Sequence, residues 1–446
     1  MITLNIILGI LFFILYISIM TMMIILERDK PKYIIIWSII FLLFPFVGYM
    51  GYLIIRNVVY KKRKSLEVKL REDEIYDKLI ANNLNDNKAV CDNEVFNFNN
   101  LAFSTKTTAN NEYEFIHNYS VLKENLLEDL NNAKDYIILE LRKINNRDFQ
   151  VVKNLLIEKA TANVTVKFIY DKPIGFNIIR ELRKAGVKVY RFSKHNATSN
   201  LYSNLRNLIT IDGKIAYIAN LNISNRQLKS LKETAYTFMR IKGDVVQDID
   251  VQSHKDAIFA SGKFIPYDKH DRTDCNNNNY IQVVSNNIKT DLELALVKAI
   301  CMAKKSIQLE LSEFIPTESI KSLLHFAINS NIDVRLMVPF QNDRHSNYFA
   351  SRAYAKELAL FGANVYLFDG YINFNAIVID DTYAIYGSYI VDREHLNNSL
   401  QTMLFIKDQK TVKNFNDMFE NGIENSYRIN DAKFMLLREK FFKNFV

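Results

Sequence analysis

Cysteine is scarce in this chain: Cys91, Cys275 and Cys301 stand far apart, without CxxC spacing or paired histidines beside them. An odd, scattered set excludes a disulfide framework and a cysteine-built metal site, and it suits a reducing compartment. Charge is missing from two stretches. Met1 to Leu26 contains no Asp, Glu, Lys or Arg, and neither does Tyr33 to Ile55. The first run lacks the basic leading segment and small-x-small cleavage pattern of a removable leader. Each run exceeds the roughly 20 apolar residues that cross a bilayer core as a helix. Spans over about 4–26 and 33–55 are therefore expected.

Lys and Arg are absent ahead of the first run. The break between the runs, Glu27-Arg28-Asp29-Lys30-Pro31-Lys32, holds three, and Arg56, Lys61, Lys62, Arg63 and Lys64 follow the second. The positive-inside bias then puts the long carboxy-terminal part in the cytoplasm and the break outside. Trp37, Tyr33, Tyr49 and Tyr52 are amphipathic residues suited to the membrane interfaces. Residues 1–64 read as an all-α, two-helix transmembrane hairpin in the cell membrane. The basic run after it attracts anionic phospholipid headgroups by about 1 kcal/mol per cation near the surface. The net charge of +8 suits anionic lipid and nucleic acid alike. Residues 65–105 are polar and Asn-rich; a helical start over Leu66 to Leu79 and then a tether with little core are expected.

From there the sequence repeats itself. Ala133-Lys134-Asp135-Tyr136-Ile137-Ile138-Leu139-Glu140-Leu141 answers Ala303-Lys304-Lys305-Ser306-Ile307-Gln308-Leu309-Glu310-Leu311. Asn163-Val164-Thr165-Val166 answers Asn331-Ile332-Asp333-Val334, and Glu181 to Tyr190 answers Glu357 to Tyr366. Each copy reads helix, strand, helix, strand, helix, strand, hairpin, which predicts an α/β domain with a mostly parallel sheet. Two tandem α/β domains, 106–265 and 266–446, are expected to pack about a pseudo-twofold axis, with Pro266 to Tyr280 as connector.

The hairpins carry the chemistry. In the first, Leu205-Arg206-Asn207-Leu208-Ile209-Thr210-Ile211 runs into Asp212-Gly213; in the second, Asn373-Phe374-Asn375-Ala376-Ile377-Val378-Ile379 runs into Asp380-Asp381. Such pairs between apolar runs mark tight hairpin turns. These segments resemble the His-x-Lys-(x)4-Asp motif of the phospholipase D superfamily. The resemblance extends to the bacterial cardiolipin synthases over nearly the whole chain: Leu26-Glu27-Arg28, Trp37 and Pro45 in the anchor, Phe314-Ile315-Pro316, and Ala350-Ser351-Arg352-Ala353-Tyr354 are all family-like.

The resemblance implies two phospholipase-D-type domains, with the motif histidines meeting at their interface. One attacks phosphorus, the other exchanges a proton with the alcohols, and two lysines neutralise phosphate oxygens. Two phosphatidylglycerols would give cardiolipin and glycerol with no cofactor and no metal. Here Leu205 and Asn373 stand at the histidine positions, and Asn207 and Asn375 at the lysine positions; only Asp212 and Asp380 remain. None of the seven histidines has Lys two residues on, so the motif is absent and not merely shifted. Asn222 follows the first hairpin, but its counterpart is Ile390. Gly387-Ser388 answers Ala219-Asn220, and Gln401 stands where the family has Glu. Imidazole supplies a neutral nucleophile and a titrating proton near pH 7; Leu and Asn supply neither.

Among single residues, Asp212 and Asp380 read as turn formers and His195 as a surface loop residue. Arg206 alternates away from Leu205 and Asn207 on a strand, and Lys214 follows the turn. Glu140 and Glu310 match across the repeat as strand-end groups or pocket linings, and Arg352 and Tyr354 read as helix packing residues. The expectation is a membrane-anchored, catalytically inactive relative that binds phospholipid or partners an active synthase. An active phosphatidyltransferase with a non-standard site stays open, as does a nucleic-acid-binding member of the superfamily. The double anchor and the lack of a concentrated basic patch in the soluble part argue against the last.

Overall fold

The computed structural model describes residues 7, 14, 16–25, 31–54, 56–57, 88–144, 149–192, 203–218, 234–235, 237–265, 267, 275, 279–286, 291–340, 345–392, 395–396, 399–429, 439 and 443. The chain divides into two compact units near residue 75. The helical start expected over 66–79 and nearly all of the connector expected over 266–280 lie outside the described residues.

In the first unit, residues 16–25 are helical, helix α1 spans Pro31–Leu43, and 45–54 are helical again. The break at Phe44 precedes Pro45, whose ring disfavours helical backbone before it and which has no N–H to give. Met23, Phe41 and Tyr52 are buried together, with Trp37 edge-on to Tyr52 at 5.3 Å. Among the described residues no helix is long and apolar enough to cross a membrane.

The second unit opens with helix α2 (Glu94–Ala102) and strand β1 (Thr107–Thr108). Its first half holds β2 (Asn111–Ile116), α3 (Tyr119–Asn132), β3 (Tyr136–Leu141), α4 (Phe149–Thr161), β4 (Thr165–Tyr170), α5 (Phe176–Lys184) and β5 (Lys188–Arg191). Then come β6 (Ser203–Asn204), the hairpin β7 (Leu208–Ile211) and β8 (Ile215–Ile218), β9 (Thr234–Ala235), β10 (Phe238–Gly243) and α6 (Val245–Ser261). The second half repeats the plan. It holds β11 (Tyr280–Ser285), α7 (Glu293–Cys301), β12 (Ser306–Leu311), β13 (Phe314–Ile315), α8 (Glu318–Asn329), β14 (Asp333–Pro339), α9 (His345–Leu360) and β15 (Asn364–Phe368). β16 (Tyr371–Ile372), the hairpin β17 (Asn375–Ile379) and β18 (Tyr383–Ser388), β19 (Val391–Asp392), β20 (Ser399–Leu400), β21 (Thr402–Lys407), α10 (Gln409–Glu424) and β22 (Ser426–Arg428) complete it.

The helix–strand alternation follows the sequence expectation, but the sheets are mixed and not mostly parallel. In the first, ordered β2-β10-β8-β7-β3-β4-β5, only β3, β4 and β5 run parallel. In the second, ordered β1-β11-β21-β18-β17-β12-β14-β15-β22, the parallel run is β12, β14 and β15. The cause is connection length. Helical crossovers permit parallel neighbours, whereas the tight turns at Asp212 and Asp380 force antiparallel ones. Local signals recur across the repeat: Asn163 and Asn331 both leave their helices at positive φ (66° and 61°), a conformation Asn tolerates.

The tether expected over 65–105 does not extend through 88–105. Asn93 caps α2 by accepting from the Val95 and Phe96 amides, and Cys91, Val95 and Phe96 join the second half's core beside Leu296 and Phe405. Asn99 donates to the Gln282 side chain at 3.0 Å, and β1 pairs with β11. A few apolar residues within a polar stretch were enough to dock it.

The halves share one apolar core, in which Leu208, Ile218, Met239 and Ile241 of the first meet Phe374, Ala376, Tyr386 and Leu404 of the second. Pseudo-symmetry mates touch across it. Asn111 donates its amide to Asn279 Oδ1 (3.2 Å) while Asn279 Nδ2 donates to the Asn111 carbonyl (2.7 Å).

Candidate functional site

Each motif copy is held by the other half. β6, which leads into Leu205, pairs in parallel with β20, and the Leu205 amide donates to the Leu400 carbonyl at 2.9 Å. Reciprocally, β16 leads into Asn373 and pairs with β9, and the Asn373 amide donates to the Ala235 carbonyl at 3.0 Å. Ser388 Oγ donates to the Arg206 carbonyl, which brings the second motif's Gly-Ser pair onto the first motif. The two degenerate motifs therefore meet at the joint between the halves, where the resemblance places a reaction centre.

The side chains there are buried. Leu205 is 3% exposed and offers only hydrocarbon. Asn207 accepts the Arg142 amide at 2.8 Å and donates to the Leu205 carbonyl at 3.1 Å, in a left-handed conformation (φ 46°). Its counterpart Asn375 accepts the Ser312 amide at 2.8 Å and donates to the Tyr389 carbonyl. Both lysine positions thus hold amides that tie off the ends of β3 and β12. Asn373 is buried, its Oδ1 without a partner among the described residues, an amide that neither attacks nor titrates.

The two aspartates are anion caps. Asp212 accepts the amides of Lys134, Asp135 and Tyr136 at 2.8–2.9 Å. Asp380 accepts those of Lys304, Lys305 and Ser306 at 2.6–3.0 Å. Both sit at positive φ (52° and 53°), which Asp tolerates in turns. This role needs no imidazole nearby. Gly387 is steric: at φ 154°, a Cβ there would stand 2.4 Å from the Thr402 carbonyl oxygen. Gln401 accepts the Ile390 amide at 2.6 Å and donates to the His395 carbonyl at 2.7 Å. Asn222 and His195 lie outside the described residues. Lys214 lies at the hairpin turn, its amide donating to the Ile211 carbonyl. Arg352 and Tyr354 sit on α9 away from the motifs, with Arg352 donating to the Tyr348 hydroxyl at 2.7 Å.

Arg206 does not face solvent or ligand. It is 1% exposed, donates to both Asp256 oxygens (2.6 Å to Oδ2) and reaches the second half through the Asn286 and Gln401 carbonyls. Around it lies a buried polar layer under α6: Thr210 donates to Asp250 at 2.7 Å, Lys167 Nζ lies 3.3 Å from His254 Nδ1, and Asn204 donates to Glu140. Burial, reinforced by the Asp256 carboxylate, pushes Glu140 well above the usual carboxylate range against the pull of Arg206. Burial alone pushes Glu310 up to about 8. The sequence marked Arg206, Glu140 and Glu310 but not Asp250, His254 or Asp256. Buried charge on α6 leaves no trace in a single sequence beyond the polar residues themselves. Among the described residues no group of three or more His, Cys, Asp or Glu could hold a metal ion.

The fold and the paired hairpins define a phospholipase-D-like protein. Phosphatidylserine synthase from Haemophilus influenzae superposes with a TM-score of 0.59 at 11% identity, over 79% of this chain and 97% of that one, which shows the shared fold. A family profile described as cardiolipin synthase, PLD-like domain, matches residues 296–423. Cardiolipin synthase 1 of Staphylococcus epidermidis is 29% identical over 90% of this chain and 88% of its own. The cardiolipin synthase of Halalkalibacterium halodurans is 27% identical over 92% and 86%. By sequence the chain is similar to the bacterial cardiolipin synthases of the phospholipase D superfamily over most of its length.

Proposed function

We propose that this chain is a membrane-anchored, catalytically silent relative of the cardiolipin synthases that acts by binding, as a partner of an active synthase at the membrane. The carrying observation is that all four motif positions for nucleophile, proton carrier and phosphate clamp hold Leu or Asn, each buried at the joint. Losing one member of a catalytic unit can cost roughly 10⁴–10⁶ in rate, and here four are gone. Headgroup capture at the joint is the weaker form of binding. Asn207 and Asn375 carry no charge, and the Arg206 guanidinium is already matched by Asp256. Anionic headgroups would instead meet the basic run at Arg56, Lys61, Lys62, Arg63 and Lys64.

The two-span anchor rests on the charge-free runs and on side chains turned outward from the first unit. Leu42, Phe46 and Val47 are 70–77% exposed, a face that suits hydrocarbon and not water. The soluble halves would then lie in the cytoplasm. Expression in bacteria lacking their own cardiolipin synthases, with lipid extracts analysed by mass spectrometry, tests the central claim. No cardiolipin is expected. Its appearance above the vector control would overturn catalytic silence.

A further inference from the structure

Glu310 stands alone among apolar neighbours in the shared core. Across the second sheet it is in register with Met337 on β14 and Ala376 on β17, and Ala376 continues the row to Tyr386 and Leu404. Cross-strand partners share a face, and Met337, Ala376, Tyr386 and Leu404 all belong to the core that joins the halves. Glu310 is therefore a carboxyl group set into that joint. It is 4% exposed, and among the described residues its Oε2 has no hydrogen-bond partner.

Two ionisable groups on the strands beside it are engaged elsewhere, and Tyr366 on β15, in register with Met337, stands edge-on to Phe419 at 5.9 Å. Arg335 on β14 pairs with Asp333 and, from α10, with Glu420. The Tyr386 hydroxyl on β18 donates to the Ile218 and Thr237 carbonyls of the first half. From α10 the side chains buried in that core, Val412, Phe415 and Phe419, are apolar, and so are Ala376 and Val378 on β17. Leu208, Ile218 and Met239 of the first half add no charge. An ionised carboxylate here would be desolvated without compensation.

We propose that the joint between the two halves is proton-sensitive, with Glu310 as its sensor: the neutral acid is compatible with the docked halves, and loss of the proton loosens them. The sign follows from linkage. The acid ionises more readily in the unfolded chain than in the joint, where burial raises it to about 8. It therefore subtracts stability as pH rises from the ordinary glutamate range to that value, and no further above it.

Glu310→Gln keeps the shape and removes the titration. Full-length protein in lipid nanodiscs, wild type and variant, is unfolded with denaturant across the pH range. The wild type is expected to lose about tenfold in folding equilibrium per pH unit relative to the variant, from about pH 5 to 8, and then to level off. Amide protection in β12, β17 and β7, corrected for the intrinsic pH dependence of exchange, should fall over the same interval in the wild type only. Parallel pH curves for the two proteins overturn the proposal. Should the variant not fold, the wild-type exchange profile decides: protection of these strands that is unchanged from about pH 6 to 9 also overturns it.

Discussion

The two halves carry only Leu or Asn at the motif's His and Lys positions, yet they surround those positions differently. Arg206 and Thr210 in the first half correspond to Phe374 and Val378 in the second (374 − 206 = 168 and 378 − 210 = 168). Helix α6 turns Asp250, Ser253, His254 and Asp256 inward, whereas α10 turns Val412, Phe415 and Phe419 inward. Around these positions the first half thus adds buried polar pairs to its apolar packing, where the facing side of α10 is mostly apolar, on backbones of the same plan. The chemistry of the site and the support of its walls are separable. Each motif aspartate caps three amides with no motif His or Lys beside it.

The largest expected effect breaks this contrast directly. Arg206→Met leaves the Asp256 carboxylate buried without its cation, and removing one partner of a buried pair costs about 3–5 kcal/mol. Phe374→Ala costs about the same through a cavity. The size of the loss does not separate the mechanisms; rescue does. Adding Asp256→Leu should recover most of the Arg206→Met loss and none of the Phe374→Ala loss in denaturant unfolding. An Arg206→Met protein as stable as the wild type would show that packing alone holds the first half.

What the sequence revealed followed from how local each signal is. The repeat, the helix–strand alternation and the hairpin turns rest on neighbouring residues, and they were legible. The helix–strand alternation points to a mostly parallel sheet, but the two-residue turns at Asp212 and Asp380 join only antiparallel strands, so the sheets are mixed. Helix α2 was hidden because Asn-rich polarity outweighed Val95 and Phe96, whose burial depends on a core nearly 200 positions away (296 − 96 = 200). The site was half legible. The empty motif positions are visible once the two hairpins are set against the superfamily motif they resemble. The pairing of Arg206 with Asp256 spans 50 positions and needs the fold.

The motif aspartates sharpen what the halves share. Asp212→Asn and Asp380→Asn keep an acceptor and tolerate positive φ, so they isolate the charge. Charge-assisted bonds to backbone amides predict a loss of about 1.5–3 kcal/mol for Asp212. Asp380 should fall at or below the low end, because its Lys304 and Lys305 bonds lie exposed. Thermal unfolding of the two variants checks the order. A neutral Asp212→Asn would mean the aspartates survive for some reason other than capping.

The smallest effect separates the halves again, at the amino termini of their last long helices. Asp408 caps α10 by accepting the Thr411 amide at 2.9 Å, and it also receives the Tyr113 hydroxyl at 2.6 Å. Asp244, ahead of α6, makes no side-chain cap; the Val245 amide goes instead to Asn111 Oδ1 at 2.8 Å, from β2. Asp408→Ala should therefore cost about 1 kcal/mol, and Asp244→Ala should lose no cap bond and cost less. Asn111→Ala should cost about 1 kcal/mol or slightly more, because a buried amide is left without its acceptor. If Asp244→Ala proved the costlier of the two aspartate variants, α6 would be capped locally after all. The first half would then not depend on a partner 134 residues distant to start the helix that carries its buried charges.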